Sequence, residues 1–339
     1  MSVEFLDRRN AVNLEIFSDE INPVVDQADG SKWMYIGVLF VPVEKKTELI
    51  EKLKNLRCIT NSKWHDNHED CPIGCKFHKK NNTEIHYTEV QRTNARLRIA
   101  LNWIEFLKND NSARELFYFN ILGINLSELD LNRFGGNSDV ELNIYNRFYR
   151  SVILSGLHYF FDKKQTVINN IYHDNGSQES HQFFPWHTIQ KIELQSDLVT
   201  IRPKTVKFID SDHRKSGDDE SHLIQFIDII LGATYVCLHD PSERIEKRKV
   251  GSAFKPVLTT LLDRVQKESG GSLWGQYYIS DFKRKWQVSF FPRTNNMGGS
   301  WRTLSDSEIK DIISSRNSYY YSRQIVVRDP SVTTLDRWF

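Results

Sequence analysis

The chain has 339 residues, with 45 Lys and Arg against 44 Asp and Glu and a formal net charge of +1. A nucleic acid or other acidic partner must therefore meet a local patch rather than a global field. With 39% hydrophobic and 12% aromatic residues, and only 16 Gly and 9 Pro, the composition excludes disordered, collagenous and low-complexity classes and supplies enough large apolar surface for a packed core.

The opening residues MSVEFLDRRN lack the charged, apolar and small-residue succession of a secretory signal. Residues 13–19 and 33–43 read as adjacent strands, the first alternating and the second almost wholly apolar, with Asn22, Pro23, Asp29 and Gly30 as turn formers between them. Lys45 to Arg57 has helical apolar spacing, and a polar stretch rich in Cys and His follows. Glu84 to Val90 alternates weakly, as a strand would, and Thr93 caps an amphipathic helix through Leu107. Strands over 116–124, 166–174 and 206–210 then alternate with helices over 139–161 and 222–236, and a basic stretch after residue 240 precedes a helix over 256–266. This order predicts an α/β fold, a mixed sheet flanked by helices with its sites at strand ends. The longest apolar runs, Tyr35–Val43 and Phe226–Leu238, are too short to span a bilayer. The expectation is a cytoplasmic protein with no membrane partner.

Acidic residues stand where apolar patterns make them costly. Asp19 and Glu20 close the first apolar strand, Asp174 closes a later one, and Asp228 interrupts the most apolar helix of the chain. A buried aspartate costs several kcal/mol unless it is paired or binds a cation. Gln225, Asp228 and Gly232 lie three and four residues apart and share one helix face, with His222 a turn earlier. A water-exposed helix end or a salt bridge would also explain Asp228. The strand-end acids favour a site, because such carboxylates gather two divalent cations roughly 4 Å apart that activate water and stabilise a leaving oxygen. Glu84 could instead be an exposed acid. His86, His173 and His222 read as surface or hydrogen-bonded histidines, with His222 kept as a proton-shuttle candidate.

Five segments in order, Ile16–Glu20 (IFSDE), Glu84–Val90 (EIHYTEV), Ile171–Asp174 (IYHD), Phe208–Ser211 (FIDS) and Ile224–Ala233 (IQFIDIILGA), resemble the motifs of the family labelled domain of unknown function 3800, grouped by fold with ribonuclease-H-like proteins. The match spans roughly residues 12 to 240. It departs from the family where Ile21, Asn22 and Pro23 replace a Gly-containing turn, and in the longer loop between Ser211 and His222. The resemblance implies a ribonuclease-H-like domain over 1–240 and a nuclease-type site. Asp19, Glu84, Asp174 and Asp228 would be ligands of Mg²⁺ or Mn²⁺, with Glu20 beside them and Gln225 completing the helix motif.

Within residues 58–80, His68, Cys71, Cys75 and His78 follow H-x2-C-x3-C-x2-H, a donor set suited to a structural tetrahedral Zn²⁺. His65 or Cys58 could replace His68, and a solvated loop with free thiols or a Cys71–Cys75 redox pair are the competing readings. Three of the four cysteines falling within eighteen residues argues against a secreted disulfide framework. Residues 241–339 read as a C-terminal appendage packed on the core. It carries one basic cluster of Arg244, Lys247, Arg248, Lys249 and Lys255, and a second of Lys283, Arg284, Lys285, Arg293 and Arg302 interleaved with Trp286, Phe290, Phe291 and Trp301. Such clusters suit a nucleic-acid backbone groove with stacking platforms, or an ordinary solvated face. No phosphate-cradling glycine loop or nucleophile elbow occurs in the sequence. The first functional expectation is thus a metal-dependent nuclease acting on RNA or DNA. The alternative is a catalytically silent nucleic-acid or protein-binding module of a defence or mobile-element system.

Overall fold

A computed structural model describes residues 11–26, 30–57, 84–92, 94–134, 140–161, 164–181, 184–239, 244–262 and 285–291. The proposed zinc ligands Cys58, His65, His68, Cys71, Cys75 and His78 lie outside these residues. So do Thr93 and, from the second basic cluster, Lys283, Arg284, Arg293, Trp301 and Arg302.

β1 (Val12–Val25) pairs antiparallel with β2 (Lys32–Pro42), which leads through α1 (Lys46–Asn55), a 3-10 turn (Tyr87–Arg92), α2 (Asn94–Asn109) and the short α3 (Ala113–Leu116) to β3 (Tyr118–Asn125). β3 lies antiparallel to β2. α4 (Val140–Phe161) then crosses over to β4 (Thr166–Asp174), which runs parallel to β1 on its other side. After α5 (Phe184–Gln195), the short strands β5 (Val199–Ile201) and β6 (Lys207–Ile209) both add in parallel to β4. α6 (His213–Ser216), α7 (Ser221–His239) and α8 (Ile245–Leu262) precede β7 (Trp286–Phe291), which pairs in parallel with β3. The result is a mixed seven-stranded sheet in the order β5-β4-β1-β2-β3-β7, with β6 also on β4.

Helices cover both faces, which is why β2 is nearly continuous in apolar residues. Phe17, Tyr35, Leu39 and Phe119 face α1, α2, α7 and α8, while Leu14, Ile16, Ile36 and Val38 face α4 and α5. α7 has no solvent face: from Ser221 to Val236 every residue is buried. Each fully buried Ile, Leu or Phe side chain contributes roughly 1.5–3 kcal/mol, a background large enough to carry polar groups that stability alone would not select. The apolar run at Phe226–Leu238 thus belongs to a 19-residue core helix.

Three expectations change. The first strand does not stop at Asp19 but continues to Val25, so Asn22 and Pro23 form an irregularity inside it, between Ile21 and Val24. Proline lacks the ladder donor, and a bulge accommodates that loss. The turn lies beyond, where Asp26 and Ser31 close the hairpin (Asp26 N–H to Ser31 O, 2.8 Å). Glu84 to Val90 is not a strand but an extended lead-in to the 3-10 turn, because side chains of α7 take its backbone donors. The helix expected over 256–266 begins at Ile245 and ends at Leu262, with Pro256 in its interior. Its basic opening turns bury Val250 and Phe254 in register with Val257 and Leu258. Within the part read as an appendage, α8 packs on α7 and α2 and β7 pairs with β3.

Candidate active site

The site lies where β1 and β4 run side by side. Ser18 is paired with His173 in parallel register, so the next residues, Asp19 and Asp174, are neighbours across strands spaced roughly 4.8 Å apart. Alternation sends Asp19 to the α7 side of the sheet with Phe17, and Glu20 to the α4 side with Ser18. Opposite Asp19 on β2 stands Gly37. A side chain there would come within 3.1 Å of Ile227 Cγ1, so its absence lets α7 settle close to the sheet and bring Asp228 to Asp19. The charge of Asp228 bears directly on Asp19.

Asp228 is fixed by the backbone of the lead-in segment: Tyr87 N–H donates to its Oδ2 at 2.5 Å. Gly232, one turn further along α7, has the Tyr87 ring where a Cβ would be. Glu84 reaches the group through Ser211, whose hydroxyl donates to Glu84 Oε1 at 2.7 Å while its N–H donates to Asp174 Oδ1 at 3.2 Å. Asp19, Glu20, Asp174 and Asp228 therefore form one electrostatic group with Glu84 hydrogen-bonded to its edge. Five acids from four distant stretches of chain converge.

Crowding and burial set their protonation. Burial, then the charges of Asp228, Glu20 and Asp174, holds Asp19 well above the usual carboxylate range. Burial followed by Asp228 pushes Asp174 up to about 6, and burial pushes Glu20 up to about 7, with Tyr145 acting in the opposite direction. Burial also raises Asp228, opposed by His86, Tyr87 N–H, Asp19 and Lys247. On the α4 side, burial holds His173 neutral, lowering it to about 4. Its Nδ1–H donates to Asp174 O at 2.7 Å, so its Nε2 accepts from Tyr145 Oη at 2.5 Å. Glu20 Oε2, 3.4 Å from that nitrogen, is buried without a hydrogen-bond partner.

Gln225 has a different role from the acids. Its Oε1 accepts from Ile85 N–H at 3.1 Å and from Arg57 Nη1 at 3.0 Å, and its Nε2 donates to Ser211 O at 2.5 Å. One amide thus ties the segments carrying Glu84 and Ser211 to α7, and its hydrogen-bonding atoms are committed. Gln225→Ala would leave buried backbone groups and the buried Arg57 guanidinium short of a partner. It should cost on the order of 3 kcal/mol in urea unfolding; a loss below about 1 kcal/mol would contradict this clamp.

His86, legible as a surface or hydrogen-bonded histidine, has its Nδ1 at 2.6 Å from Thr88 Oγ1 and its Nε2 3.9 Å from Asp228 Oδ1. Asp228 is the main cause of its raised pKa, which burial opposes. Its place two residues after Glu84 was the only available signal. His222, the shuttle candidate, is instead held between Arg57 Nη1, 3.4 Å from its Nδ1, and the stacked ring of His213. Six residues separate it from Asp228, which on an α-helix turns it about 120° away from that side chain. His213, Asp219 and His222 approach within 4.8 Å of one another. Lys54 already holds Asp219 at 3.2 Å and Arg57 faces the His222 nitrogen, so this cluster is neutralised by side-chain cations.

Compared with protein families and with curated proteins, the chain matches no family model and no curated protein.

Proposed function

We propose that this protein is a divalent-metal-dependent nuclease, hydrolysing phosphodiester bonds of RNA or DNA on a ribonuclease-H-like sheet. The observation that carries the reading is the convergence of Asp19, Asp174 and Asp228, with Glu20 behind them, in a largely buried position where burial and mutual repulsion disfavour their charges. Such a group needs protons or cations. An all-oxygen donor set suits Mg²⁺ or Mn²⁺, and the orphaned Glu20 Oε2 adds an acceptor at its margin. Asp19, Glu84, Asp174 and Asp228 would hold the metal, which supplies water activation and stabilisation of the leaving oxygen when bound. Glu84 keeps one oxygen outside its bond to Ser211, and Gln225 positions rather than reacts.

Purified protein should cleave a labelled RNA or DNA strand with Mg²⁺ or Mn²⁺ and lose that activity with chelator. Absence of cleavage on single- and double-stranded forms of both polymers with both metals would reject the reading. A second reading rests on the burial and raised proton affinity of both Asp19 and Asp228. Protonation there tolerates the crowding without metal, as a catalytically silent nucleic-acid or protein-binding module would require.

We further propose that His68, Cys71, Cys75 and His78 bind structural Zn²⁺, with His65 or Cys58 as the replacement ligand. Protein prepared without chelator should contain about one equivalent of zinc; less than about half an equivalent contradicts a four-ligand site.

A further inference from the structure

We propose that Lys247, on the first turn of α8, is a substrate-binding residue that receives a phosphate oxygen of a nucleic-acid strand at the rim of the carboxylate group. The proposal rests on the hydrolytic reading for its choice of ligand and on the following geometry for its location. The Lys247 ammonium stands 4.8 Å from the centroid of the Tyr87 ring. That ring packs on Gly232, and the same residue's N–H holds Asp228 Oδ2. Lys247 is thus fixed through one residue to the acid that α7 contributes, near enough for the two charges to act on each other.

Several lysines and arginines of the surrounding elements are matched. Lys46 pairs with Glu15 and Glu220, Lys54 with Asp219, Arg96 with Glu89 and Arg214 with Asp212. Lys247 is half-buried, and among the described residues it makes no hydrogen bond or ion pair. Its aliphatic stem is covered and its charge is left over. Burial lowers the lysine's proton affinity against the pull of Asp228, and Arg244, one turn earlier, lowers it further, adding to the positive potential rather than cancelling it. A polyanion entering a carboxylate-lined site meets repulsion, and a cation held on the aromatic face beside those acids offsets it. A phosphate on the strand next to the reacting one matches both the charge and the location.

The test measures binding of 5′-labelled single-stranded 12-mers of DNA and of RNA to the full chain in Ca²⁺ across a salt series, with intact oligonucleotide confirmed on a gel. Lys247→Met keeps a stem over the Tyr87 ring without the charge, and Lys247→Arg keeps the charge. The Met variant should weaken binding roughly tenfold at low salt and flatten the slope of log K against log salt by about 0.7, at an unchanged melting temperature. The Arg variant should keep the wild-type slope. A Met variant with wild-type affinity and slope overturns the proposal, as does an equal loss in both variants or a wild-type slope near zero. If the slope difference holds but no metal supports cleavage, the phosphate contact stands and the hydrolytic reading falls.

Discussion

Asp228→Asn should reduce metal-dependent cleavage to the uncatalysed background and, in the absence of metal, make the protein more stable than wild type above neutral pH. Asparagine keeps the acceptor for Tyr87 N–H and can donate to Asp19, so it imitates the protonated carboxyl without its charge. The folded-state pKa values of Asp174 and Glu20, about 6 and about 7, lie above their ordinary 3.8 and 4.5. Asp19 and Asp228 are raised as well. For acids raised in this way the stabilising contribution is complete below the ordinary carboxylate range and is lost as pH rises through the folded values. Wild-type protein in chelator should therefore lose melting temperature relative to the variant between about pH 4 and pH 7, the window set by those shifts. Mn²⁺ should restore wild type increasingly with pH and leave Asp228→Asn almost unmoved. Asp19→Asn should behave alike, because it removes the other member of the same buried, mutually repelling pair. Full residual cleavage in either variant, or identical pH profiles with and without Mn²⁺, would sink the metal assignment.

Gly232→Ala tests the packing that holds Asp228. In an ordinary helix interior this change stabilises by about 1 kcal/mol, because glycine loses more backbone freedom on folding. Here the added methyl would overlap the Cγ, Cδ1 and Cδ2 atoms of Tyr87. Overpacking costs about 1–3 kcal/mol, and displacing Tyr87 also loosens the N–H bond to the Asp228 carboxylate, a charged acceptor whose bonds are worth about 1.5–3 kcal/mol. The variant should be destabilised by about 3 kcal/mol in urea unfolding, opposite in sign to helix propensity, and should lose cleavage with it. Adding Tyr87→Ala removes the ring that the methyl strikes. The double variant should therefore be less destabilised than the sum of the singles. Additive losses, or a stabilised Gly232→Ala protein, would show that the contact does not constrain α7.

Much of the scaffold was written in local patterns. The strand Thr166–Asp174 occurs with the bounds that its alternation and following Asn-Gly predict, and α4 and α7 appear within a few residues of their periodic segments. The acids were conspicuous because charge inside an apolar run is costly wherever the run is placed, a fact that needs no coordinates. Other features had no local signal. Glu84 to Val90 alternates, but its backbone donors go to Gln225 and Asp228, residues some 140 positions away, and those partners decide that it does not pair as a strand. The aromatic run at 286–291 was indistinguishable from a tail until β3 offered it a ladder. Asp19 and Glu20 look alike in sequence, whereas the pleat sends one to α7 and the other to the tyrosines of α4. Periodicity records which face of an element is apolar, and composition records which residues are expensive to bury. Which elements meet, and hence that Asp19, Asp174 and Asp228 share one place with His86 and Lys247 at its edge, is decided by long-range packing around Gly37 and Gly232.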